Sequence, residues 1–362
     1  MLKEYLNTTT NYTFRKQYHP PIFNRVGIRG IGSYLPDRKL SNYELEEMVD
    51  TSHEWIISKT GIKERRIIGE NENVLHMAKQ ASIRAINSAG VKPNEIDLVV
   101  AASISFEYKV PTLGNMLTGE LGLKNAAAFD VNAGGCPGFL YSLITGAKFI
   151  DGKQIRKVLC VSSEAHSKFI NWKDRSTCVI FGDGAGATVL DILPDGVGIL
   201  GFDIGCSLSE ALLLPTAQIP GKDETYLKMD GRKIWEFATA AIPKTVSSAS
   251  KKAGINISDI DMIICHQANI NIIECALKTL GISMDKTHIT IDKYGNTGGP
   301  SVCITFDEAH RNGKVKDGDI VAFVGFGGGL TWGTLIFEWH SKNDYLHGYF
   351  NEKFLSEGIL WI

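Results

Sequence analysis

The sequence repeats one pattern at two places, and this duplication constrains the fold more than any other feature. Residues 89–100 read AGVKPNEIDLVV, and residues 253–264 read AGINISDIDMII. Each copy has an Ala-Gly helix end, a polar turn, an acidic-Ile-Asp step and an apolar strand. The copies lie about 160 residues apart, which is too long for a solenoid repeat. This spacing predicts a duplicated α/β domain with halves of about 150 residues each.

Two further pairs of segments continue the correspondence. LGLKNAAAFDVNAGG (121–135) matches LGISMDKTHITIDKYGNTGG (280–299), and RKVLCVSSE (156–164) matches GDIVAFVGF (318–326). Within each half, near-continuous apolar runs alternate with helical patterns, which is typical of strands buried on both faces. We therefore predict a layered α/β/α/β/α fold with pseudo-twofold symmetry.

The same correspondence predicts where the chain divides. We expect an N-terminal half at 26–195 and a C-terminal half at 196–340. Residues 1–25 and 341–362 lie outside the repeat and are expected to form an N-terminal arm and a C-terminal extension. In sheets of this kind functional groups gather at strand ends and helix N-termini, so the search for a site begins there.

Charge and composition limit the class of function. The 362 residues carry a net charge of −2, which argues against nucleic acid or a membrane surface as a partner. No apolar run reaches the roughly 18 residues that span a bilayer, and the first residues lack the apolar core of a signal peptide. The seven cysteines include no CxxC pair, so neither a disulfide framework nor a zinc site is expected. We expect a cytoplasmic protein without a bound metal.

One cysteine stands in a tight corner, VNAGGCPG (131–138). Pro137 suits the first position of a helix, so Cys136 is predicted at or next to the N-cap, where the helix dipole lowers a thiol pKa. Gly134 and Gly135 permit backbone angles that let a substrate come close. The pattern predicts an exposed thiolate that attacks an acyl group. The turn alone is equally compatible with a structural cysteine.

The second half supplies partners for this thiol. His266 lies in CHQAN, directly after the strand MIIC, and Asn296 lies in KYGNTGG, at the position that mirrors the Cys136 loop. A single histidine at a strand end is often structural, but two polar residues at pseudo-symmetric positions favour a shared site. The segment GFGGGLTWG (325–333) adds a glycine loop whose amides could face the same pocket.

An ordered set of motifs resembles a known family. GIRGIGSYLPDRKLSN, DTSHEWIISKTGIKERR, the Cys136 loop, IFGDGAGATVL, CHQAN, YGNTGGPS and GFGGGLTWG occur in that order between residues 26 and 339. In this respect the chain is similar to the β-ketoacyl-acyl carrier protein synthase III family. The resemblance implies a thiolase-like, duplicated five-layer fold and a homodimer. It also implies a condensing acyltransferase of fatty acid, polyketide or other secondary metabolism.

The resemblance implies a role for each residue of the site. An acyl-CoA would load Cys136 as a thioester, and a malonyl thioester would then lose CO₂ and attack it in a Claisen condensation. His266 and Asn296 would bind the malonyl thioester carbonyl and stabilise the enolate, as neutral donors aimed at a developing oxyanion do. The amides of Cys136 and Gly329 would form a second oxyanion hole. Phe181 would shield the carbanion from water.

The coenzyme A site is carried over from the same resemblance. Trp55 and Arg175 would sandwich the adenine with Thr51 nearby, and Val110 would line the acyl pocket. Coenzyme A enters as a thioester substrate, and no separate cofactor is implied. The remaining residues of this predicted site are Lys59, Gly231, Trp235, Ala268 and Asn269.

Four departures from the family pattern stand out. The cysteine loop reads GGCPG without the usual alanines, and the asparagine loop reads GNTGGPS rather than GNTSAAS. Lys59 stands where an arginine is usual, and a lysine cannot make planar bidentate contact. Asn271 and Glu236 replace basic residues that usually dock an acidic carrier protein, which should weaken that encounter. Whether the malonyl donor is a carrier protein or malonyl-CoA therefore stays open.

Three functions remain as alternatives at this point. The first is decarboxylative condensation, which the complete set of cysteine, histidine and asparagine favours. The second is transfer of the acyl group from Cys136 to an amine, an alcohol or another small nucleophile, with His266 as general base. The third is an inactive partner subunit of a condensing complex, which retention of all three polar residues disfavours.

Overall fold

The computed structural model describes residues 26–152, 154–193, 197–215 and 226–340. The predicted N-terminal arm and C-terminal extension lie outside these residues. Across the described part of the chain, none of the helices combines the length and apolar character needed to cross a membrane.

The first half is built on a five-stranded sheet with the strand order β1-β7-β6-β4-β5. Strand β4 pairs in parallel with β5 and β6, whereas β7 is antiparallel to β6 and β1. The elements are β1 (Val26–Tyr34), β2 (Lys39–Ser41), α1 (Asn42–Glu46), α2 (His53–Thr60), β3 (Glu64–Arg66), α3 (Val74–Ala89), β4 (Leu98–Ala102), α4 (Leu113–Glu120), β5 (Ala127–Asp130), α5 (Gly138–Asp151), β6 (Val158–Ala165) and β7 (Asp183–Ile192).

The second half repeats this arrangement with the strand order β11-β12-β13-β8. An isolated bridge between Ile263 and Thr287 takes the place that β5 has in the first sheet. The elements are β8 (Ile199–Ser209), β9 (Leu212–Leu213), β10 (Lys228–Met229), α6 (Gly231–Ala253), β11 (Met262–Cys265), α7 (Ile270–Leu280), α8 (Ile291–Tyr294), α9 (Ser301–Arg311), β12 (Ile320–Gly327) and β13 (Gly329–Glu338).

The two sheets stack with helices between and outside them. Helices α5 and α9 contact both sheets, and their apolar side chains share one core with strands of each. Helices α3 and α4 cover the outer face of the first sheet, and α6 and α7 cover that of the second. Fully buried residues such as Phe139 and Phe306 each contribute roughly 1.5–3 kcal/mol to this packing. The predicted α/β/α/β/α architecture is confirmed.

The acidic-Ile-Asp steps of the repeat join neighbouring strands in the same way. The Asp97 carboxylate accepts a hydrogen bond from the Lys157 amide at 2.9 Å, one residue before β6. The Asp261 carboxylate accepts one from the Ile320 amide at 3.0 Å, at the start of β12. Each aspartate thus fixes the register at which the next parallel strand begins, which explains why both copies of the motif carry it.

Candidate active site

The cysteine corner places Cys136 directly before helix α5. The helix begins at Gly138, with Pro137 as its N-cap, one residue later than the sequence predicts. The Gly138 amide donates to the Gly135 carbonyl at 2.8 Å and closes the turn. Gly134 has φ +68°, and a Cβ there would overlap the Gly328 carbonyl oxygen, so only glycine fits.

The Cys136 thiol lies in a buried position, with 5% of the residue exposed. Burial raises the pKa of this thiol to about 12, and the Glu164 carboxylate adds to the rise. The expected lowering by the helix terminus is therefore wrong for the free chain, because desolvation of a thiolate outweighs a terminal dipole. With this pKa the free thiol is protonated at neutral pH.

His266 follows β11 and is held by the neighbouring strand and helix. Its amide donates to the Val324 carbonyl at 2.7 Å, and its Nδ1 lies 2.7 Å from the Ser301 hydroxyl at the start of α9. Burial lowers the pKa of His266 to about 3, and the nearby His166 lowers it further against a hydrogen bond with the Gly298 backbone. The imidazole is therefore neutral at physiological pH and acts as a hydrogen-bonding group rather than a cation.

Asn296 lies in the loop between α8 and α9 and is fixed on both sides of its backbone. Its amide donates to the Ile180 carbonyl at 2.9 Å, and its carbonyl accepts from the Gly182 amide at 2.9 Å. The side-chain Oδ1 accepts from the Gly298 amide at 2.9 Å, which leaves the Nδ2 hydrogens as the donors of this carboxamide. The two backbone hydrogen bonds form a parallel β-bridge between Asn296 and Phe181, and the Phe181 ring is buried.

The glycine loop between β12 and β13 lies against the cysteine corner. The Gly328 amide donates to the Gly134 carbonyl at 3.0 Å. A Cβ on Gly327 would lie 3.0 Å from the Cys136 Cβ, so the two backbones are in close contact. Gly329, the residue predicted for the oxyanion hole, follows directly and has φ +120°. The structure thus brings the loops of Cys136 and Gly329 together.

The asparagine loop meets the cysteine corner from the other side. A Cβ on Gly299 would lie 3.3 Å from the Gly135 carbonyl oxygen. The loops that carry Cys136, Asn296 and Gly329 therefore converge where the two halves meet, with His266 tied to Ser301 beside them. Such convergence at strand ends is the usual place for a site in layered α/β folds.

The residues predicted to hold the adenine contact each other. The Arg175 guanidinium lies 5.2 Å from the centre of the Trp55 ring, and it donates to the Asp50 carbonyl at 2.8 Å. A ring intercalated between them would need about twice the usual stacking distance, so the guanidinium must move to admit an adenine. The Thr51 hydroxyl nearby is buried without a hydrogen-bond partner among the described residues.

The other predicted binding residues occupy two places. Asn269 caps α7 and donates from Nδ2 to the Lys59 carbonyl at 2.8 Å, which joins α7 to the end of α2. Ala268 lies half-buried beside it. Gly231 begins α6 with open space around it, and Trp235 is 37% exposed on the same helix.

Val110 lies apart from these groups. Its side chain is 82% exposed, so it lines a closed acyl pocket only if another chain covers it.

The sequence prediction missed polar groups at the end of β6. His166 is buried, with Nδ1 3.3 Å from the Gly182 carbonyl and its ring 5.1 Å from the Phe181 ring. Glu164 is buried as well, and its carboxylate accepts from the amides of Ile104 and Ser105 at 3.0 and 3.1 Å. Burial raises the pKa of Glu164 to about 7 against these hydrogen bonds. The signal was present as alternating polar residues in SSEAHS.

Comparison with known proteins identifies the family. Residues 129–207 match the family described as 3-Oxoacyl-[acyl-carrier-protein (ACP)] synthase III, and residues 250–339 match its C-terminal counterpart. A β-ketoacyl-[acyl-carrier-protein] synthase III of Caldanaerobacter subterraneus is 43% identical over 324 residues, covering 87% of this chain and 98% of the relative. The corresponding protein of Clostridium acetobutylicum is 42% identical, covering 87% and 99%.

Solved structures agree with these relatives. The 3-oxoacyl-[acyl-carrier-protein] synthase III of Aquifex aeolicus is 37% identical, with a TM-score of 0.82 over 87% of this chain and all of that one. The priming β-ketosynthase of the R1128 polyketide pathway is 33% identical, with a TM-score of 0.83 over 88% and 98%. The chain therefore belongs to the β-ketoacyl-acyl carrier protein synthase III family of thiolase-fold condensing enzymes and is an acyltransferase of this type.

Proposed function

We propose that Cys136 accepts an acyl group from an acyl-CoA and passes it to a decarboxylated malonyl thioester. The observation that carries this proposal is the convergence of three loops across the pseudo-twofold axis. The cysteine corner contacts both the glycine loop and the asparagine loop, and a neutral His266 is tied to the asparagine loop by Ser301. No single half contains all of these groups.

Acylation begins from a protonated thiol. The Cys136 sulfur attacks the thioester carbonyl carbon, the bond from that carbon to the CoA sulfur breaks, and the proton of Cys136 ends on the departing thiolate. The amides of Cys136 and Gly329 are suited to the intermediate oxyanion because glycine conformations bring both backbones to the site. A backbone donor of this kind is worth about 3–4 kcal/mol to the transition state.

Condensation uses the polar groups of the second half. When the Ser301 hydroxyl donates to Nδ1 of His266, the imidazole proton lies on Nε2, and His266 and the Asn296 amide become two neutral donors. Both would bind the malonyl thioester oxygen and stabilise the enolate as CO₂ leaves. The carbanion then attacks the acyl carbon, and Cys136 departs as a thiolate that regains a proton. Phe181 provides an apolar wall beside this step.

These steps balance without a metal ion or a redox cofactor, and coenzyme A enters only as part of a thioester. We propose that Trp55 and Arg175 bind the adenine between them once the Arg175 guanidinium has moved away from the Trp55 ring. Thr51, Lys59, Gly231, Trp235, Ala268 and Asn269 are the further residues proposed for the coenzyme A site.

The proposal for the malonyl donor is supported by the charges on the surface predicted to dock a carrier protein. On α6, Arg232 pairs with Glu236 at 2.9 Å and Lys233 with Asp230 at 3.3 Å. Asn271 on α7 brings no charge and bonds to the Lys59 carbonyl. Paired surface cations attract an acidic carrier protein less strongly, so we propose slow association with malonyl-carrier protein and ready use of malonyl-CoA.

A homodimer is part of the proposal. Among the described residues, strand β5 is an edge of the first sheet, and Ala127 on it is exposed. Phe149 on α5 is partly exposed beside this edge and contacts Phe129. Unprotected apolar edges of this kind pair with another chain.

Transfer to an amine, an alcohol or another small nucleophile is the second candidate. The charge pairing on α6 favours it, because such an acceptor needs no carrier protein.

One experiment tests both. The protein is incubated with acyl-CoA and digested, and mass spectrometry measures the peptide that contains Cys136. Malonyl-CoA or malonyl-carrier protein is then added, and the release of CO₂ is measured. We expect an acyl adduct on Cys136, retained in a Cys206→Ala control, followed by CO₂ release. An adduct without CO₂ release supports simple transfer, and the absence of any adduct contradicts both functions.

A further inference from the structure

Two glycines of the asparagine loop are required by polar side chains in β6 and directly after it. A Cβ on Gly298 would lie 3.1 Å from Nε2 of His166 and closer still to its Cε1. A Cβ on Gly299 would lie 2.6 Å from the Ser162 hydroxyl, which has no hydrogen-bond partner among the described residues. The departure GNTGGPS therefore makes room for His166 and Ser162.

The hydrogen bond of His166 defines its free nitrogen. The Gly182 carbonyl can only accept, so Nδ1 of His166 carries the proton at their 3.3 Å contact. The neutral ring then has a lone pair on Nε2. Among the residues that the structure describes, the His166 side chain makes one hydrogen bond, to the Gly182 carbonyl. His166 therefore has a buried ring whose acceptor nitrogen, Nε2, faces the asparagine loop.

This acceptor lies within the site. Its ring packs on Phe181 at 5.1 Å, lies over Gly298, and is close enough to His266 to affect the pKa of that imidazole. Neither acylation nor condensation, as derived above, uses a hydrogen-bond acceptor at this position. A buried acceptor that faces an apolar ligand loses its hydrogen bond to water and gains nothing in return.

We propose that His166 is a specificity-determining residue that selects a thioester bearing a hydroxyl or N–H group near the carbonyl. This inference rests on the proposed function for the location of the substrate. The donor group lies either on the acyl group destined for Cys136 or on the malonyl-type extender. In both cases it donates to Nε2 of His166, while a simple alkyl or malonyl thioester leaves this nitrogen unpaired.

Binding to Cys136→Ala tests the proposal without requiring turnover. Calorimetry compares 3-hydroxybutyryl-CoA with butyryl-CoA in one arm, and hydroxymalonyl-CoA with malonyl-CoA in the other. We expect the hydroxylated member to bind at least about tenfold more tightly in one arm, since sites that hydrogen-bond a hydroxyl discriminate against its absence. The arm with the preference identifies the source of the donor group. Equal affinity in both arms overturns the proposal.

Two substitutions separate this role from a structural one. His166→Asn keeps an amide that can donate to the Gly182 carbonyl but removes Nε2, so the preference should fall to about onefold. His166→Gln returns an acceptor near the Nε2 position and should restore part of the preference. His310→Asn, on a half-buried ring that packs on Trp339 outside the site, should leave the preference unchanged. A preference that survives in His166→Asn also overturns the proposal.

The imidazole nitrogens give a readout that does not require a substitution of His166. In ¹⁵N spectra of the protein with Cys136→Ala, the Nε2 resonance of His166 should shift when the hydroxylated thioester binds and stay in place with its apolar counterpart. Failure of the proposed function is seen separately, because it appears as a missing Cys136 adduct in the unsubstituted protein.

Discussion

The two halves begin their central helices with nearly the same corner. The first reads Gly134-Gly135-Cys136-Pro137, and the second reads Gly298-Gly299-Pro300-Ser301. In both, a proline precedes the first helical residue as the N-cap, and two glycines precede the turn. The first corner keeps a thiol at the helix start, whereas the second omits it and uses its helix start to hold His266 through Ser301. The two corners thus share one geometry, and the proposed function assigns acylation to the first half and enolate stabilisation to the second.

The sharpest test of this division removes the thiol. Cys136→Ala should abolish acylation and reduce condensation by at least 10³-fold, while His266 and Asn296 still decarboxylate malonyl-CoA. Mass spectrometry of the peptide and CO₂ release measure the two activities separately. Loss of decarboxylation in the same variant would show that the halves do not act independently.

Removing the donors of the second half should give the complementary result. His266→Ala and Asn296→Ala should each lower condensation by about 10²–10³-fold, because each removes one donor to the enolate oxygen. Acylation of Cys136 should change much less, as measured by burst-phase adduct formation. Equal losses in both steps would contradict the assignment of these residues to the second step. His310→Ala serves as the matched control.

The glycines of the second corner can be tested by stability. Gly298→Ala places a Cβ against His166 at a φ of +73°, so the free energy of unfolding should fall by about 2–3 kcal/mol. Gly119→Ala in α4 meets no atom within 4 Å and should be neutral or slightly stabilising. Urea denaturation measures both. A neutral Gly298→Ala would contradict the packing of His166 over this loop.

The smallest expected effect concerns pH. Burial lowers the pKa of His166 to about 4, against 6.5 for the unperturbed group. His166 is therefore neutral in both states above pH 6.5, and it does not affect the free energy of unfolding there. Below pH 6.5 only the unfolded chain gains a proton at this residue, so the free energy of unfolding falls by about 1.4 kcal/mol per pH unit until the folded-state pKa is reached. Between pH 6.5 and 5.5, His166→Asn should lose less stability than the unsubstituted protein, by up to about 1 kcal/mol. Identical slopes in urea titrations would contradict a neutral buried His166.

Much of this architecture could be predicted from the sequence. The repeat around Asp97 and Asp261 predicts two sheets covered by helices, because near-continuous apolar runs are typical of strands buried on both faces. The corner at Cys136 could be predicted because two glycines followed closely by a proline are typical of a tight turn.

Other features depend on tertiary packing that no local pattern encodes. The thiol pKa follows from burial beside Glu164, a residue distant in sequence, so the local expectation of a reactive thiolate failed. His166 went unnoticed because a single histidine just after a buried strand carries no local signal of function, and only the contact with the asparagine loop shows why glycine must face it.

The protonation of the Cys136 thiol affects the order in which oxidants and alkylating agents react with the cysteines of this chain. Alkylating agents and peroxides react with thiolates, and a group with a pKa of about 12 is almost entirely in the unreactive form at neutral pH. Cys206, by contrast, is exposed at the surface. Cys136 is also buried, with 5% of the residue exposed, so small electrophiles should modify Cys206 before they modify Cys136.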